Sequence, residues 1–217
     1  MQPHRRLHGV LTSLCFAFVF SGLLQAASAG QNSLTAQEVA DGWQLLFDGK
    51  TQKGWAPRGA IRWTIEDGAL SSVPGSGGGH LATTASFGSF HLKVEFWVDD
   101  VANSGVFLRC PPGGEITATN SYEVNIYDAH EKWPTGSINE VAASSGKQKT
   151  AGKWNLYEIT ADGEHLVVRL NGQVTVDVRD SKFKRGPIAI QNLKGEGIVR
   201  FRNIKLKPIG RENPVNQ

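Results

Sequence analysis

The strongest constraint on the fold is the strict alternation of apolar and other side chains at residues 91–98. Alternate positions are apolar at Leu92, Val94, Phe96 and Val98, while His91, Lys93, Glu95 and Trp97 stand between them. Successive side chains of a β-strand point to opposite faces, so this period of two predicts a strand with one buried face. The pattern recurs at residues 166–170 and 174–178. The sequence therefore predicts several antiparallel strands.

Turn signals separate these apolar segments. Four pairs combine Asp or Asn with Gly: Asp48-Gly49, Asp67-Gly68, Asp162-Gly163 and Asn171-Gly172. They predict tight hairpins, because both residue types tolerate positive φ. One short helical turn is indicated by a capping box at Thr35 and Glu38, ahead of Gly42. With 25 glycines and no long helical pattern, the chain is predicted to be an all-β jelly-roll β-sandwich with one short N-terminal helical turn.

Residues 1–29 have the organisation of a secretory signal peptide. Arg5 and Arg6 precede an apolar run at residues 11–24, and Ala27-Ser28-Ala29 supplies the small residues of a cleavage site. The run is shorter than the ~20 residues that span a bilayer, which disfavours an uncleaved anchor. We expect a periplasmic or secreted protein with one domain at residues 30–217 and no membrane attachment after cleavage.

Cleavage changes the charge and cysteine content. Without Arg5 and Arg6, the Lys and Arg total falls from 23 to 21 against 20 Asp and Glu, so the net charge falls from +3 to +1. This balance gives no indication of a nucleic-acid partner. Cys15 lies in the signal peptide, so Cys110 has no partner for an intrachain disulfide. Because Cys110 ends an apolar run, we expect a buried, unreactive thiol.

The segment at residues 122–128 carries the most chemical information. If it is a strand, Glu123, Asn125 and Tyr127 share one face and Tyr122 lies on the core face. A carboxyl, an amide and a phenol together are typical of a sugar site, where planar polar groups bind hydroxyls and aromatic rings stack on the pyranose. A half-solvated strand is the simpler interpretation.

Neighbouring candidate strands add further polar and aromatic groups, which favours the sugar site. These residues are Asn103, Arg109 and Trp97, with His130 in an adjacent loop. The histidines lack the close spacings of a zinc site, so no metal ligands can be named from the sequence. No G-x-S-x-G motif of a serine hydrolase is present.

Longer stretches carry a family resemblance. They are residues 42–50, 63–70, 103–109, 122–128, 135–137, 153–159, 170–172, 186–191 and 199–205. In this order they resemble the 3-keto-disaccharide hydrolase domain family. The resemblance implies a concanavalin A-like (laminin G-like) jelly roll, export, and action on glycosides whose C3 hydroxyl has been oxidised to a ketone.

The resemblance also implies site residues. The family's polar set falls on Asn103, Arg109, Glu123, Asn125, Asp128 and Gln191. The chain departs from the family at two positions, having Asn125 where a Gln is common and Leu193 where a His is common.

A C3 ketone acidifies the proton on C2, so a base can form an enolate that expels the group at C1. We expect Glu123 to be the base and Arg109 to stabilise the enolate oxygen, with Asp128 or His130 protonating the leaving oxygen. The predicted substrate-binding residues are Asn103, Asn125, Tyr127, Gln191, Trp97 and His130. No cofactor is required by this scheme, although a divalent metal would serve in place of Arg109.

Two alternative functions stay open at this point. A carbohydrate-binding module on the same fold would bind sugar without turnover. The spacing of Glu123, Asn125 and Asp128 resembles that of the catalytic strand of a laminarinase-type glucanase. Such an enzyme needs two carboxyls ~5–5.5 Å apart to retain the configuration at the anomeric carbon. In each case the expected partner is a carbohydrate.

Overall fold

The computed structural model describes residues 30–210, and the predicted signal peptide at residues 1–29 lies outside them. Within the described residues, one helix, α1 (Ala36–Ala40), precedes thirteen strands. The strands are β1 (Gln44–Leu45), β2 (Trp55–Gly59), β3 (Trp63–Glu66), β4 (Ala69–Ser72), β5 (Gly79–Thr83), β6 (Phe90–Val98), β7 (Ser104–Leu108), β8 (Tyr122–Ile126), β9 (Asn155–Asp162), β10 (His165–Leu170), β11 (Gln173–Arg179), β12 (Ala189–Asn192) and β13 (Val199–Pro208).

The strands form two antiparallel sheets. The larger sheet has eight strands in the order β11-β10-β9-β6-β13-β4-β3, with β1 paired to β13. The smaller sheet has five strands in the order β2-β5-β12-β7-β8. The prediction of an all-β sandwich is therefore confirmed. Among the described residues, no helix is long and apolar enough to cross a bilayer.

The main core lies between the two sheets. In β6 the predicted apolar face is buried, with Leu92, Val94, Phe96 and Val98 at most 3% exposed. The facing sheet contributes Tyr122, Val124 and Ile126 from β8, all fully buried in the same cluster. Since strand side chains alternate, Glu123 and Asn125 must lie on the outer face of the five-stranded sheet. The predicted orientation of this strand is confirmed.

Helix α1 has the predicted capping box. The Glu38 backbone N–H donates to Thr35 Oγ1 at 3.0 Å, and the Thr35 N–H donates to Glu38 Oε2 at 2.9 Å. The same carboxylate accepts from Lys205 Nζ at 2.8 Å, which attaches the helix to β13. None of the residues of α1 is buried, so the ion pair and the cap are the polar contacts that hold the helix in place.

Three of the four predicted turns join paired strands. Asp67-Gly68 connects β3 to β4, and Asn171-Gly172 connects β10 to β11, with positive φ at all four residues. Gly163 lies in the turn between β9 and β10.

The hairpin prediction at Asp48-Gly49 is wrong. β1 pairs with β13 and β2 pairs with β5, so the segment between β1 and β2 joins strands of different sheets. The Asp48 carboxylate accepts the backbone N–H groups of Lys50 and Thr51 at 2.8 and 2.7 Å, which forms a local side-chain turn instead.

Cys110 is free and buried. Burial raises the pKa of its thiol to about 12, so the thiolate that reacts with oxidants and electrophiles is not populated at neutral pH. The expectation that Cys110 is buried is confirmed, and the raised pKa is consistent with an unreactive thiol.

Candidate functional site

A cleft of about 740 Å³ lies on the outer face of the five-stranded sheet. Strands β2, β5, β12, β7 and β8 supply its floor, and residues from five loops between strands complete its lining. The polar residues of its lining are Arg58, His80, Asn103, Glu115, Thr117, Glu123, Asn125, His130, Asn139 and Gln191. Pro57, Phe107, Ile116, Ala118 and Leu193 are its larger apolar residues.

Strand register divides the floor into three rows of side chains that run across the sheet. The inner row contains Ala82, Ala189, Phe107 and Glu123, which are successive cross-strand partners. Two residues further along each strand, the central row contains His80, Gln191, Gly105 and Asn125. The outer row contains Leu193 and Asn103, joined by a hydrogen bond from the Leu193 N–H to the Asn103 carbonyl at 2.9 Å.

Glu123 is the buried carboxyl of the cleft. It is 8% exposed, and burial raises its pKa to about 7, an effect that a hydrogen bond from the Asn139 side chain partly offsets. Gly105 makes room for it, because a Cβ added to Gly105 would lie 3.1 Å from Glu123 Oε1. The Glu123 side chain therefore leans over Gly105 into the central row. A carboxyl with a pKa near neutrality can exchange a proton at physiological pH.

His80 and Gln191 form a buried pair in the central row. Their Nε2 atoms are 3.2 Å apart, and the His80 ring meets the Phe107 ring edge-on with 4.7 Å between centroids. Burial, with the positive charge of Arg58, lowers the pKa of His80 to about 4. The imidazole is therefore neutral at physiological pH, and its Nε2 accepts a hydrogen from the Gln191 amide.

Gln191 also carries an unsatisfied polar atom. The residue is 4% exposed, and its Oε1 is buried without a hydrogen-bond partner. Asn139 Oδ1 is in the same condition. Buried polar atoms nearly always have partners, so two orphaned acceptors in the lining of one cleft are typical of a site that receives donors from a ligand.

Asn125 and His130 are linked through Trp133. The Asn125 side-chain amide donates to the Trp133 carbonyl, and the Trp133 N–H donates to His130 Nδ1 at 3.0 Å. Because Nδ1 accepts a hydrogen bond, a neutral His130 carries its proton on Nε2. The loop after β8 is thereby fixed with a potential proton donor in the lining of the cleft.

Two glycine-rich loops form part of the wall. The loop at residues 74–79 contributes Gly78 and Gly79, and that at residues 111–114 contributes Gly114. Arg58 holds the second loop by donating to the carbonyls of Pro112 at 2.5 Å and Gly114 at 3.3 Å. Both loops thus border the cleft, as two loops of a binding site would.

Arg109 does not stand beside Glu123. It follows the last residue of β7 and has a φ of 55°, which interrupts the alternation of the strand. Its guanidinium donates to the carbonyls of Gly88, Gly163 and Phe183. It lies 6.0 Å from the ring of Tyr122, a residue of the core face. The expectation that Arg109 and Glu123 share one cleft is therefore wrong.

Asp128 and Tyr127 also lie outside this cleft. Both line a second cavity, of about 390 Å³. The Asp128 carboxylate accepts the Thr150 N–H and hydroxyl, each at 2.7 Å, and the Thr135 hydroxyl at 2.5 Å. Because β8 ends at Ile126, the alternation that aligns Glu123 with Asn125 does not extend to Tyr127. The Asp128 carboxylate therefore joins the backbone segments that contain Thr135 and Thr150.

Trp97 belongs to the other sheet. It lies in β6 of the eight-stranded sheet, on the face opposite the core, and the Arg200 guanidinium lies 5.4 Å from its ring centre. The sequence gives its face correctly but does not reveal which sheet contains the strand. Trp97 cannot contact a ligand in the cleft.

The cleft thus unites five of the nine predicted site residues: Asn103, Glu123, Asn125, His130 and Gln191. Sequence reasoning had not assigned His80, Asn139 and Phe107 to the site. Phe107 and His80 follow from the register of β7 and β5, which the sequence alone does not contain. Among residues 30–210, no group of three or more His, Cys, Asp and Glu side chains is arranged to hold a metal ion.

The fold and the cleft together define a concanavalin A-like jelly-roll protein with a polar cleft on its smaller sheet. Residues 42–207 match the family described as the 3-keto-alpha-glucoside-1,2-lyase-like domain. The match covers most of the chain, and the protein belongs to this family. The resemblance noted from the sequence is therefore confirmed.

A curated relative is the 3-keto-disaccharide hydrolase of Bacteroides thetaiotaomicron, which is 39% identical over 160 residues. The match covers 66% of this chain and 53% of the relative, so the chain spans about half the relative's length.

Solved structures share the fold. A proposed glycosyl hydrolase from Parabacteroides distasonis has a TM-score of 0.75 at 20% identity, over 83% of this chain and 100% of that chain. A carbohydrate-binding module from Bacillus subtilis has a TM-score of 0.54 at 20% identity, over 70% of this chain and 94% of that chain. These similarities confirm the predicted fold class.

Proposed function

We propose that the cleft cleaves glycosides whose C3 hydroxyl has been oxidised to a ketone, by elimination across C1 and C2 followed by hydration. The observation that carries this proposal is the buried Glu123 carboxyl, whose pKa is raised to about 7 on the floor of a polar cleft. Family membership supports the same substrate class.

Glu123 is suited to be a general base. A proton on C2 beside a ketone is weakly acidic, and a base removes it most effectively when its own pKa lies close to the working pH. A solvated glutamate would be fully ionised at neutral pH but a much weaker base. Burial of Glu123 therefore strengthens the carboxylate as a base while leaving about half of it ionised near pH 7.

The proposed reaction proceeds through an enolate. Glu123 takes the C2 proton, and the electrons of the C2–H bond form a C2–C3 double bond with negative charge on the C3 oxygen. When this charge returns to re-form the ketone, a C1–C2 double bond forms and the bond from C1 to the leaving oxygen breaks. Water then adds its hydroxyl to C1 and a proton to C2, which completes a net hydrolysis.

Two further roles replace those first expected for Arg109 and Asp128. The Gln191 side-chain amide has two hydrogens, and one of them is donated to His80. The other is the proposed donor to the enolate oxygen, because Gln191 lies on the strand next to Gly105, over which the Glu123 carboxyl leans. His130 Nε2–H is the proposed donor to the leaving oxygen, since its Nδ1 is occupied by the Trp133 N–H. Neutral amide and imidazole donors stabilise the enolate less than a cation would, so the proposed enzyme relies on the acidity that the ketone supplies.

The glucanase alternative loses its second carboxyl. Glu123 and Asp128 line different cavities, and the Asp128 carboxylate is engaged by Thr135 and Thr150. A non-catalytic carbohydrate-binding protein remains the competing function, and it differs from the proposed enzyme in one measurable respect: ligand binding without release of the aglycone.

The test is incubation of the purified protein with matched native and 3-keto disaccharides, following both binding and sugar release. We expect release from the oxidised sugar alone, with a rate that rises with pH through about 7 as Glu123 ionises. Glu123→Gln should abolish release while retaining binding, and Glu131→Gln, at an exposed loop position, is the matched control. Binding of either sugar without release by the unaltered protein would favour the carbohydrate-binding alternative.

A further inference from the structure

The two ends of the cleft differ in how they are closed. At the inner row, Ile116 from the loop between β7 and β8 packs with Phe107, Ala82 and Ala189 in a buried apolar cluster. This packing seals the inner end. A ligand held beside Glu123 must therefore extend toward the outer row.

The outer row ends in an exposed leucine. Leu193 is 46% exposed and lines the cleft. The other exposed large apolar side chains of residues 30–210, Val39 and Val101, lie outside the cleft. A large apolar group open to water at the mouth of a polar cleft is placed to contact an apolar surface of a ligand.

The backbone of Leu193 is held on both sides. Its N–H donates to the Asn103 carbonyl at 2.9 Å. On the other side, a Cβ added to Gly78 would lie 2.0 Å from the Leu193 carbonyl oxygen, so the backbone segments at Gly78 and Leu193 are in close contact. The Leu193 side chain is therefore presented from a fixed position, which reduces the entropy cost of a contact with a ligand.

Strand geometry gives the distance between Leu193 and the reacting centre. Gly105, over which the Glu123 carboxyl leans, is one strand away and two residues back along the strand direction. With a strand spacing of about 4.8 Å and a rise of about 3.3 Å per residue, the two Cα atoms are about 8 Å apart. One six-membered ring next to the reacting sugar would span this interval.

We propose that Leu193 forms an aglycone subsite that selects an aryl leaving group over a second sugar. This inference rests on the proposed function, because it concerns the group expelled from C1. The flat apolar face of an aryl ring buries the Leu193 side chain without loss of hydrogen bonds. A sugar at the same place would turn hydroxyls toward a side chain that can neither donate nor accept. The Asn103 amide is available for a single polar substituent on the ring.

The experiment compares phenyl 3-keto-glucoside with a 3-keto disaccharide in the unaltered protein and in Leu193→Ser. We expect kcat/KM to be higher for the phenyl substrate, and Leu193→Ser to lower that preference roughly tenfold, the size of effect that a few apolar contacts produce. Val101→Ser, which alters an exposed apolar residue outside the cleft, should leave the preference unchanged. Thermal unfolding of each variant measures any general loss of stability.

A second readout keeps the aglycone subsite testable if no substrate is cleaved. Calorimetry with phenyl glucoside and a native disaccharide measures whether binding prefers the aryl group and whether Leu193→Ser removes that preference. Absence of cleavage with an intact aryl preference in binding would overturn the proposed function and support the subsite. Cleavage of both substrates with a ratio that Leu193→Ser does not alter would overturn the subsite and leave the proposed function standing.

Discussion

Replacing Glu123 by Gln should change how the stability of the protein depends on pH. Burial raises the pKa of Glu123 from its ordinary value of 4.5 to about 7 in the folded protein. Between these two pH values the folded protein holds a proton that the unfolded chain has released, so raising the pH favours unfolding. The stabilisation is complete below pH 4.5 and is lost as the pH rises through 7.

The magnitude follows from the two pKa values. At 1.36 kcal/mol for each pH unit, the interval between 4.5 and about 7 corresponds to about 3 kcal/mol of unfolding free energy. Glutamine has no proton to release, so the Glu123→Gln variant should lack this loss. The difference in stability between variant and unaltered protein should therefore move in favour of the variant by about 3 kcal/mol from pH 4.5 to pH 8.

Urea unfolding at half-unit pH intervals from 4.5 to 8.5 measures this difference directly, and comparing the two proteins cancels the titration of every other group. Glu131→Gln, at an exposed position, is the control and should run parallel to the unaltered protein. Parallel curves for Glu123→Gln and the unaltered protein would show that Glu123 is solvated in the folded state. The argument for a buried base would then be refuted.

Three further predictions concern neighbouring residues. Gly105→Ala should lower kcat/KM for a 3-keto-glycoside roughly tenfold, because the new Cβ would lie 3.1 Å from Glu123 Oε1 and would displace the carboxyl; steady-state kinetics that match the unaltered protein would contradict this. The unfolding free energy that neutral His80 contributes is present above pH 6.5 and is lost as the pH falls through 4, a loss of about 3 kcal/mol. His80→Gln should lack this loss, so its unfolding free energy should fall less between pH 6.5 and pH 4 than that of the unaltered protein. Acid unfolding curves that coincide would contradict this prediction. Asp128→Ala should cost about 3 kcal/mol in urea unfolding, through lost bonds to Thr150 and Thr135, while the folded fraction keeps its turnover per molecule; loss of turnover without loss of stability would restore Asp128 to the catalytic site.

Local periodicity was sufficient to predict several of the strands and, in β6, the buried face. The alternation at residues 91–98 is a property of neighbouring residues, and it emerged as β6 with its apolar face in the core. The capping box of Thr35 and Glu38 is equally local, and it too was correct. Such features need no knowledge of the remainder of the fold.

The errors in the predicted site arose where the local pattern stops. Arg109 and Tyr127 each follow the end of a strand, and a change of φ at Arg109 turns its side chain away from the face that alternation would give it. The prediction for Trp97 was wrong for a different reason. Alternation predicts which face of a strand a side chain occupies, but it does not predict which of the two sheets contains that strand. His80 entered the cleft through pairing with Gln191, more than a hundred residues away in sequence, and no local signal carries that information.

The seal formed by Ile116 over Phe107, Ala82 and Ala189 has a consequence for long glycans. A groove open at both ends lets a polymer pass through and permits cuts in its interior. Here the apolar cluster covers the inner end of the cleft, so a glycan bound beside Glu123 would have to end there. Under the proposed function, a glycan would lose only an oxidised sugar at its end, and cleavage would stop there because the newly exposed sugar carries no ketone.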